Sequence, residues 1–134
     1  MHRLRTMSDS EFTFSFEKLR VWQDARRWIC TIYSMTSRFP KGEAFNLTSQ
    51  MQRASVSVAT NLAEGTARTS PKDQAHFTQI AYNSLMETAC LTILAADQAY
   101  ITEADLAGHR KEIAGLSNQL NALHRSQIAR ISGR

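Results

Sequence analysis

Histidines, cysteines and carboxylates are the side chains of this sequence that could ligate a metal, so their spacing is considered first. A dinuclear metal centre inside a helical bundle requires inward carboxylates and two Glu-x-x-His motifs on different helices. The sequence contains no Glu-x-x-His motif, and its nearest approach is Asp73-x-x-His76. Asp73 is more simply explained as part of a helix start. We therefore expect no metal site and no cofactor.

Nucleophilic catalysis has no better support. Cys30 and Cys90 show neither a CxxC motif nor a Cys/His spacing. The sequence also lacks a Gly-x-Ser-x-Gly elbow and a phosphate-binding glycine loop. We expect both thiols to be reduced and to serve as small core residues, and we expect the protein not to be an enzyme.

Composition and charge describe a small, helical protein. The chain has 134 residues, of which 43% are hydrophobic and 21% charged, and only 5 Gly and 2 Pro interrupt it. Its 16 basic and 12 acidic residues give a net charge of +4, which permits nucleic-acid binding without requiring it.

No apolar run approaches the ~18 residues of a membrane span. The N-terminus, where Met7 is an alternative start, does not resemble a signal peptide. A cytoplasmic location without a membrane partner is expected.

Helical periodicity begins at Phe16 and continues through the chain. Apolar residues recur at three- and four-residue steps in a first helix, which ends at Pro40. Asn46 or Thr48 is expected to cap a second helix that runs to about Ala67. The pattern thus divides into helices joined by short connections.

Two further helix starts follow. Ser70 and Pro71 predict the start of a third helix that runs to about Ala99, and Thr102 with Asp105 resembles a capping box that opens a fourth. Short connections make sequential helices antiparallel neighbours. The sequence therefore predicts an all-α, up-down-up-down four-helix bundle over residues 16–131, preceded by a flexible N-terminal tail at residues 1–15.

The second helix carries a strip of polar residues between apolar stripes. At 100° per residue these side chains fall within an arc of about 80°. The strip consists of Gln50, Arg53, Ser57, Asn61, Glu64 and Arg68. Three interpretations stay open: a solvated face, direct ligand contact, or a seam between helices or between subunits in which Arg53 and Glu64 are hydrogen-bonded. We favour the seam, because a solvated face usually carries more charge.

Antiparallel topology sorts the charges between the two ends of the bundle. The end that we call the basic pole collects Lys18, Arg20, Arg68, Lys72, Arg125, Arg130 and Arg134 against Glu17, Glu64 and Asp73. The opposite end collects Arg38 and Lys41 against Glu43, Asp97, Glu103 and Asp105. The candidate phosphate-binding residues are Lys18, Arg20, Lys72, Arg125 and Arg130. Alternatively, these are solvated charges at turns and termini. Few aromatic residues accompany them, so base stacking is not supported.

Several motifs occur in an order that resembles a known family. They are Phe16-x-x-Leu19-x-Val21-Trp22-Gln23-x-Ala25, Phe39-Pro40-x-x-Glu43, Gln50-x-x-Arg53-Ala54-x-x-Ser57-Val58-x-x-Asn61-Leu62-Ala63-Glu64-Gly65-x-x-Arg68 and Phe77-x-x-Ile80-Ala81-x-x-Ser84-Leu85-x-Glu87. Together they resemble the four-helix-bundle proteins encoded in intervening sequences of bacterial 23S ribosomal RNA genes. The accessory protein of diversity-generating retroelements resembles the members of this family.

The resemblance implies an antiparallel bundle that assembles into a ring-like homopentamer, with no established catalysis. It also implies nucleic-acid binding, to RNA or DNA, and a protein partner such as a reverse transcriptase. The sequence departs from the family pattern where Ala59 replaces a common Pro and Asn83 a common Gly. Ala89 and Leu91 replace polar residues, which weakens any claim to a family-specific polar contact on the third helix.

Two functional hypotheses follow. The leading one is a non-enzymatic, oligomeric nucleic-acid-binding or nucleoprotein-scaffold protein that contacts phosphates through Lys and Arg. The alternative is a protein–protein interaction module with a ring-shaped docking surface that does not bind nucleic acid.

Overall fold

The computed structural model describes residues 4–6 and 11–132, and in these ranges the regular structure is entirely helical. The four long helices are α1 (Arg20–Thr36), α2 (Leu47–Thr66), α3 (Pro71–Asp97) and α4 (Glu103–Ser132). Short 3-10 helices at Ser15–Lys18 and Lys41–Glu43 precede α1 and α2. The predicted tail at residues 1–15 lies partly outside the described residues, and Arg134 lies outside them.

Two of the predicted helix starts are confirmed by their capping geometry. The Ser70 hydroxyl accepts a hydrogen bond from the Asp73 amide at 3.1 Å, and Pro71 occupies the first turn of α3. At the start of α4, the Asp105 amide donates to the Thr102 hydroxyl at 3.0 Å, and the Thr102 amide donates back to Asp105 Oδ2 at 3.3 Å. This reciprocal pair is a capping box formed with an aspartate.

The start of α2 is stabilised differently from the prediction. Asn46 occupies the N-cap position but makes no capping bond with its side chain. Instead, Glu43 Oε1 accepts the Leu47 amide at 3.3 Å, while Glu43 Oε2 accepts the Tyr100 hydroxyl at 2.7 Å. The hydrogen bond from Tyr100, followed by the one from Leu47, lowers the pKa of Glu43. One carboxylate therefore links the start of α2 to the loop between α3 and α4.

The end of α3 is a tight left-handed turn. The Tyr100 amide donates to the Ala95 carbonyl at 3.0 Å, and the Ala99 amide to the Ala96 carbonyl at 2.9 Å. This is the Schellman pattern, and it places Ala99 at a φ of 63°. The helix consequently ends at Asp97, two residues before the predicted end at Ala99.

Each helix packs against its sequence neighbours, and α1 also contacts α4, which gives the predicted antiparallel four-helix bundle. The core face of α1 carries Trp28, which is 2% exposed, whereas Trp22 is only partly buried. The bundle centre is filled by apolar side chains from all four helices. They include Ala25, Ile32, Met51, Val58, Ala81, Leu85, Leu116 and Leu120.

The prediction that both cysteines are core residues is wrong. Cys90 is exposed on α3, and Cys30 is only partly buried on α1. On α1 the core face carries Trp28 and Ile32, and on α3 it carries Leu85 and Leu91, so the cysteines lie to the side of these faces. None of the helices in the described part of the chain combines the length and apolar character needed to cross a membrane.

Candidate nucleic-acid interface

The basic pole is built from the start of α1, the turn between α2 and α3, and the end of α4. Arg130 Nη2 donates to Gln74 Oε1 at 2.8 Å, which ties the last turns of α4 to the first turn of α3. A cavity of about 230 Å³ lies among these elements. Its lining includes Leu19, Leu62, Thr78 and Leu123, one residue from each long helix or its flank. The topology therefore brings the three basic segments to one end of the bundle.

All five candidate phosphate-binding side chains at this end are exposed. Within the described ranges, Lys18, Lys72 and Arg125 have no carboxylate partner. Arg130 is bonded to neutral groups, Gln74 and the Ser126 hydroxyl. Arg20 contacts a carboxylate, with its Nε 3.3 Å from Asp24.

Asp24 is shared between several donors on α1 and α4. It accepts from Arg20, Arg27 and, at 2.9 Å, Gln119. Burial raises the pKa of Asp24, but the hydrogen bonds from Gln119 and Arg27 and the charge of Arg20 outweigh it and lower that pKa overall. Asp24 therefore stays ionised and neutralises part of the positive charge beside α1.

The opposite end of the bundle has the reverse sign. Asp97, Glu103 and Asp105 are exposed there, and Glu43 is partly exposed. Arg38 and Lys41, at the same end, are exposed as well. The molecule thus separates charge along its long axis.

The polar strip on α2 divides into an inner and an outer part. Ser57 and Asn61 are partly buried at the contact with α3, where the hydroxyl oxygens of Ser57 and Ser84 are 2.9 Å apart. Asn61 Nδ2 donates to the Ser57 hydroxyl at 2.9 Å and to its carbonyl at 2.8 Å. These two residues lie at a seam between helices.

The outer part of the strip consists of Gln50, Arg53, Glu64 and Arg68, all of which are exposed. Glu64 is 3.8 Å from Arg68, whose guanidinium lies 4.6 Å from the Phe77 ring centroid on α3. Among the described residues, Arg53 has neither an ion-pair nor a hydrogen-bond partner, in contrast to the hydrogen-bonded position expected for it. Contact of these side chains with a second subunit stays a prediction.

A row of aromatic rings flanks the basic pole, and the sequence interpretation missed it. The ring centroids of Phe12 and Phe14 are 5.3 Å apart, those of Phe14 and Phe16 are 5.6 Å apart, and those of Phe16 and Trp22 are 4.9 Å apart. Phe12 and Phe14 are 78% and 55% exposed. The expectation that few aromatic side chains accompany the basic residues is therefore corrected. The two-residue spacing was the available signal, because an extended chain places alternate side chains on one side.

A second exposed apolar feature lies between α3 and α4. A groove of about 280 Å³ is lined there by Tyr82, Met86, Ile93, His109 and other side chains. His109 is 6% exposed, and its Nδ1 has no hydrogen-bond partner among the described residues, since Glu112 Oε1 is 3.8 Å away. Burial lowers the pKa of His109, with a smaller opposing effect from Asp105.

In residues 4–6 and 11–132, no group of three or more His, Cys, Asp and Glu side chains is arranged to hold a metal ion. Asp73 and His76, the nearest approach in the sequence, are both exposed on α3, and the Asp73 amide takes part in the helix cap.

Comparison with known proteins identifies one family. A profile of the family described as 23S rRNA-intervening sequence protein matches residues 17–122. Among solved structures, the fold is similar to that of a protein with unknown function from the S23 ribosomal protein family of Bacteroides thetaiotaomicron VPI-5482. The TM-score is 0.73 at 18% identity, over 78% of this chain and 95% of the other, so the similarity concerns the fold. A search of curated proteins finds no match.

Proposed function

The chain belongs to the family of 23S rRNA-intervening sequence proteins, and from this premise we propose that it is a non-enzymatic, oligomeric protein that binds nucleic acid. The observation that carries the proposal is the basic pole. Lys18, Lys72 and Arg125 are exposed there without carboxylate partners in the described residues. Side chains of this kind can exchange their counterions for phosphates.

The proposed mechanism is contact with the phosphate backbone. Each lysine or arginine that neutralises a phosphate releases condensed counterions, so affinity falls steeply with salt concentration. Phosphate contacts fix position and carry little sequence information. The basic pole therefore fits a protein that holds RNA or DNA with limited base readout.

Assembly into an oligomer would increase this charge effect. Several copies pointing the same way would place their basic poles on one face and concentrate positive potential there. The exposed apolar residues Met86, Ile93 and Leu94 on α3 support a contact between copies, because large apolar side chains grouped on a surface often mark interfaces. A ring of five subunits is the assembly that the family resemblance implies.

Simultaneous replacement of Lys18, Arg20, Arg125 and Arg130 by Ala tests the proposal. The variant should bind duplex DNA and structured RNA more weakly than the parent. The slope of log affinity against log salt should fall by up to about 3.6 for each subunit that contacts duplex DNA, because each lost contact accounts for about 0.9. Fluorescence anisotropy at about 50 and 200 mM salt measures both effects. Helicity and light scattering should stay unchanged, since exposed charges contribute little to stability.

A matched control neutralises the opposite end with Asp97→Asn and Glu103→Gln. Both side chains are exposed, whereas Asp105 is unsuitable because it caps α4. The control should bind no more weakly than the parent. Equal binding by the basic-pole variant and the parent at both salt concentrations would contradict phosphate contact at this end.

A protein–protein interaction module is the second candidate. The apolar groove between α3 and α4 favours it, because Met86 and Ile93, which line the groove, are exposed. The resemblance to the retroelement accessory protein implies a protein partner such as a reverse transcriptase, and we propose this groove as its docking place. This candidate takes precedence if the parent does not bind nucleic acid at low salt.

A further inference from the structure

We propose that Phe12 and Phe14 form a platform on which bases of single-stranded nucleic acid stack, while the phosphates face Lys18 and the basic pole. The proposal rests on the proposed nucleic-acid-binding function and specifies the form of its ligand. The surface is formed by the segment before α1 together with the end of α2. We call Phe12, Phe14, Phe16 and Trp22 the aromatic row.

The geometry of the aromatic row provides flat faces at its outer end. The rings of Phe14 and Phe16 are parallel to within 2°, and Phe16 packs edge-on against Trp22 on α1. Phe12 meets Phe14 edge-on, at 80°, so the two outer rings offer separate faces, each for one base. Phe12 lies beyond them with 78% of its surface exposed. Apolar rings at this exposure have no covering group in the described structure, and aromatic faces of this kind stack with bases of any sequence.

The backbone that carries the rings is held in place. The Phe14 amide donates to Glu17 Oε2 at 2.8 Å, and the Glu17 amide donates to the Phe14 carbonyl at 3.0 Å. Gln23 Nε2 on α1 donates to the Glu17 carbonyl at 2.7 Å. Phe14 is therefore preorganised against the bundle, which lowers the conformational entropy lost on binding.

Charge on the two sides of the row determines which side takes the phosphates. One hollow, of about 470 Å³, is lined by Phe12, Phe14, Lys18 and residues at the end of α2, and its lining includes no carboxylate. The hollow on the other side contains Arg5 and Arg26, whose charges are offset by Glu11 and Glu17. A polyanion is thus favoured on the side of Lys18, where the hydroxyls of Ser15 and Thr66 also line the hollow.

Single strands fit this surface better than duplexes. Bases in a duplex are stacked on one another and their faces are unavailable, whereas a flexible single strand can place successive bases on protein rings. The combination of adjacent aromatic rings and a cationic groove is the usual design of sequence-tolerant single-strand sites.

The test compares a fluorescently labelled thymidine or uridine homopolymer of about 16 nucleotides with a duplex of the same length. The double variant Phe12→Ala/Phe14→Ala should bind the homopolymer about tenfold to a hundredfold more weakly, because stacking on each ring is worth about tenfold in affinity. Duplex binding should change by less than about twofold, and the salt slope should be unchanged because no charge is removed. The exposed rings are not part of the core, so helicity should be retained.

Two matched variants separate stacking from other contacts. Phe45→Ala removes a ring that is 99% exposed at the opposite end of the bundle, and it should bind the homopolymer like the parent. Phe12→Leu/Phe14→Leu keeps apolar bulk without a flat ring and should lose affinity as the Ala variant does. Retained affinity in the Leu variant would overturn the stacking proposal.

The remaining outcomes are also decisive. Equal losses for duplex and homopolymer, or unchanged homopolymer binding in the Ala variant, would overturn the platform while leaving phosphate binding intact. A smaller particle in light scattering for the Ala variant would identify the aromatic row as a contact between subunits and overturn the proposal. Failure of the parent to bind either ligand at low salt would instead contradict the proposed function itself.

Discussion

Replacing His109 by Leu should stabilise the protein, because the imidazole is buried with an unpaired nitrogen. In either neutral tautomer, Nδ1 is a donor or an acceptor, and it has no hydrogen-bond partner in the described structure. Leaving such a group unsatisfied costs about 1–3 kcal/mol. Leucine would contact the apolar lining of the groove between α3 and α4, which includes Leu106 and Ile113. The free energy of unfolding at pH 7 should therefore rise by about 1–3 kcal/mol, and Tm by about 3–10 °C.

The difference between variant and parent should grow as the pH falls. Burial lowers the pKa of His109 below its value of 6.5 in a model peptide. Between these two pKa values the unfolded chain binds a proton that the folded chain does not, so acidification stabilises the unfolded state. Titration of His109 thus has no effect on the free energy of unfolding above about pH 6.5. As the pH falls below this value toward the lowered pKa of the folded state, the free energy of unfolding of the parent decreases. The Leu variant lacks this dependence.

Thermal unfolding followed by circular dichroism at pH 7 and pH 5.5, at one protein concentration, measures both effects. His124→Leu is the control, because it makes the same substitution on α4 at a partly exposed position and should change stability by less than about 0.5 kcal/mol. A lower Tm for His109→Leu than for the parent at pH 7 would refute the reasoning. It would mean that the imidazole makes a favourable polar interaction, for example with Glu112.

Two further substitutions test local features of the fold. Ala99→Gly should raise the free energy of unfolding by about 1 kcal/mol, because Ala99 holds a φ of 63° that Gly adopts without a Cβ clash; an unchanged or lower urea midpoint would contradict this. Ser84→Ala should lower stability by about 1 kcal/mol through loss of the hydrogen bond to Ser57 between α2 and α3. Urea unfolding measures this loss, with Asn83→Ala as the control because Asn83 is an exposed neighbour. Equal changes in the free energy of unfolding for the two variants would contradict the prediction.

The helices and most of their ends could be predicted from sequence because the determining interactions are local. The Ser70 cap and the pairing of Thr102 with Asp105 each involve residues three apart, and the structure confirms both. The start of α2 could not be found in this way. Its capping carboxylate, Glu43, lies in the preceding 3-10 helix and is held by Tyr100, which is 57 residues away in sequence.

The surface features were harder to predict, since they depend on which side of each element faces the bundle. The periodicity of α3 does not reveal that Cys90 lies on the outward face. Phe12 and Phe14 belong to a segment without helical periodicity, and their alignment with Trp22 requires the backbone contacts of Glu17 and Gln23. The grouping of basic residues at one end, in contrast, follows from antiparallel topology.

The contact between α1 and α4 is the smallest of the four contacts between long helices, so the bundle is least tightly packed on this side. The groove there is lined by polar residues such as Asp24 and Gln119, and the buried indole N–H of Trp28 has no acceptor among the described residues. Local unfolding proceeds where apolar contacts are fewest. Among motions that separate two long helices, we therefore expect the one that parts α1 from α4, while α2, α3 and α4 stay packed, to cost the least free energy. Because Phe16 packs on Trp22, the aromatic row moves with α1 in that fluctuation.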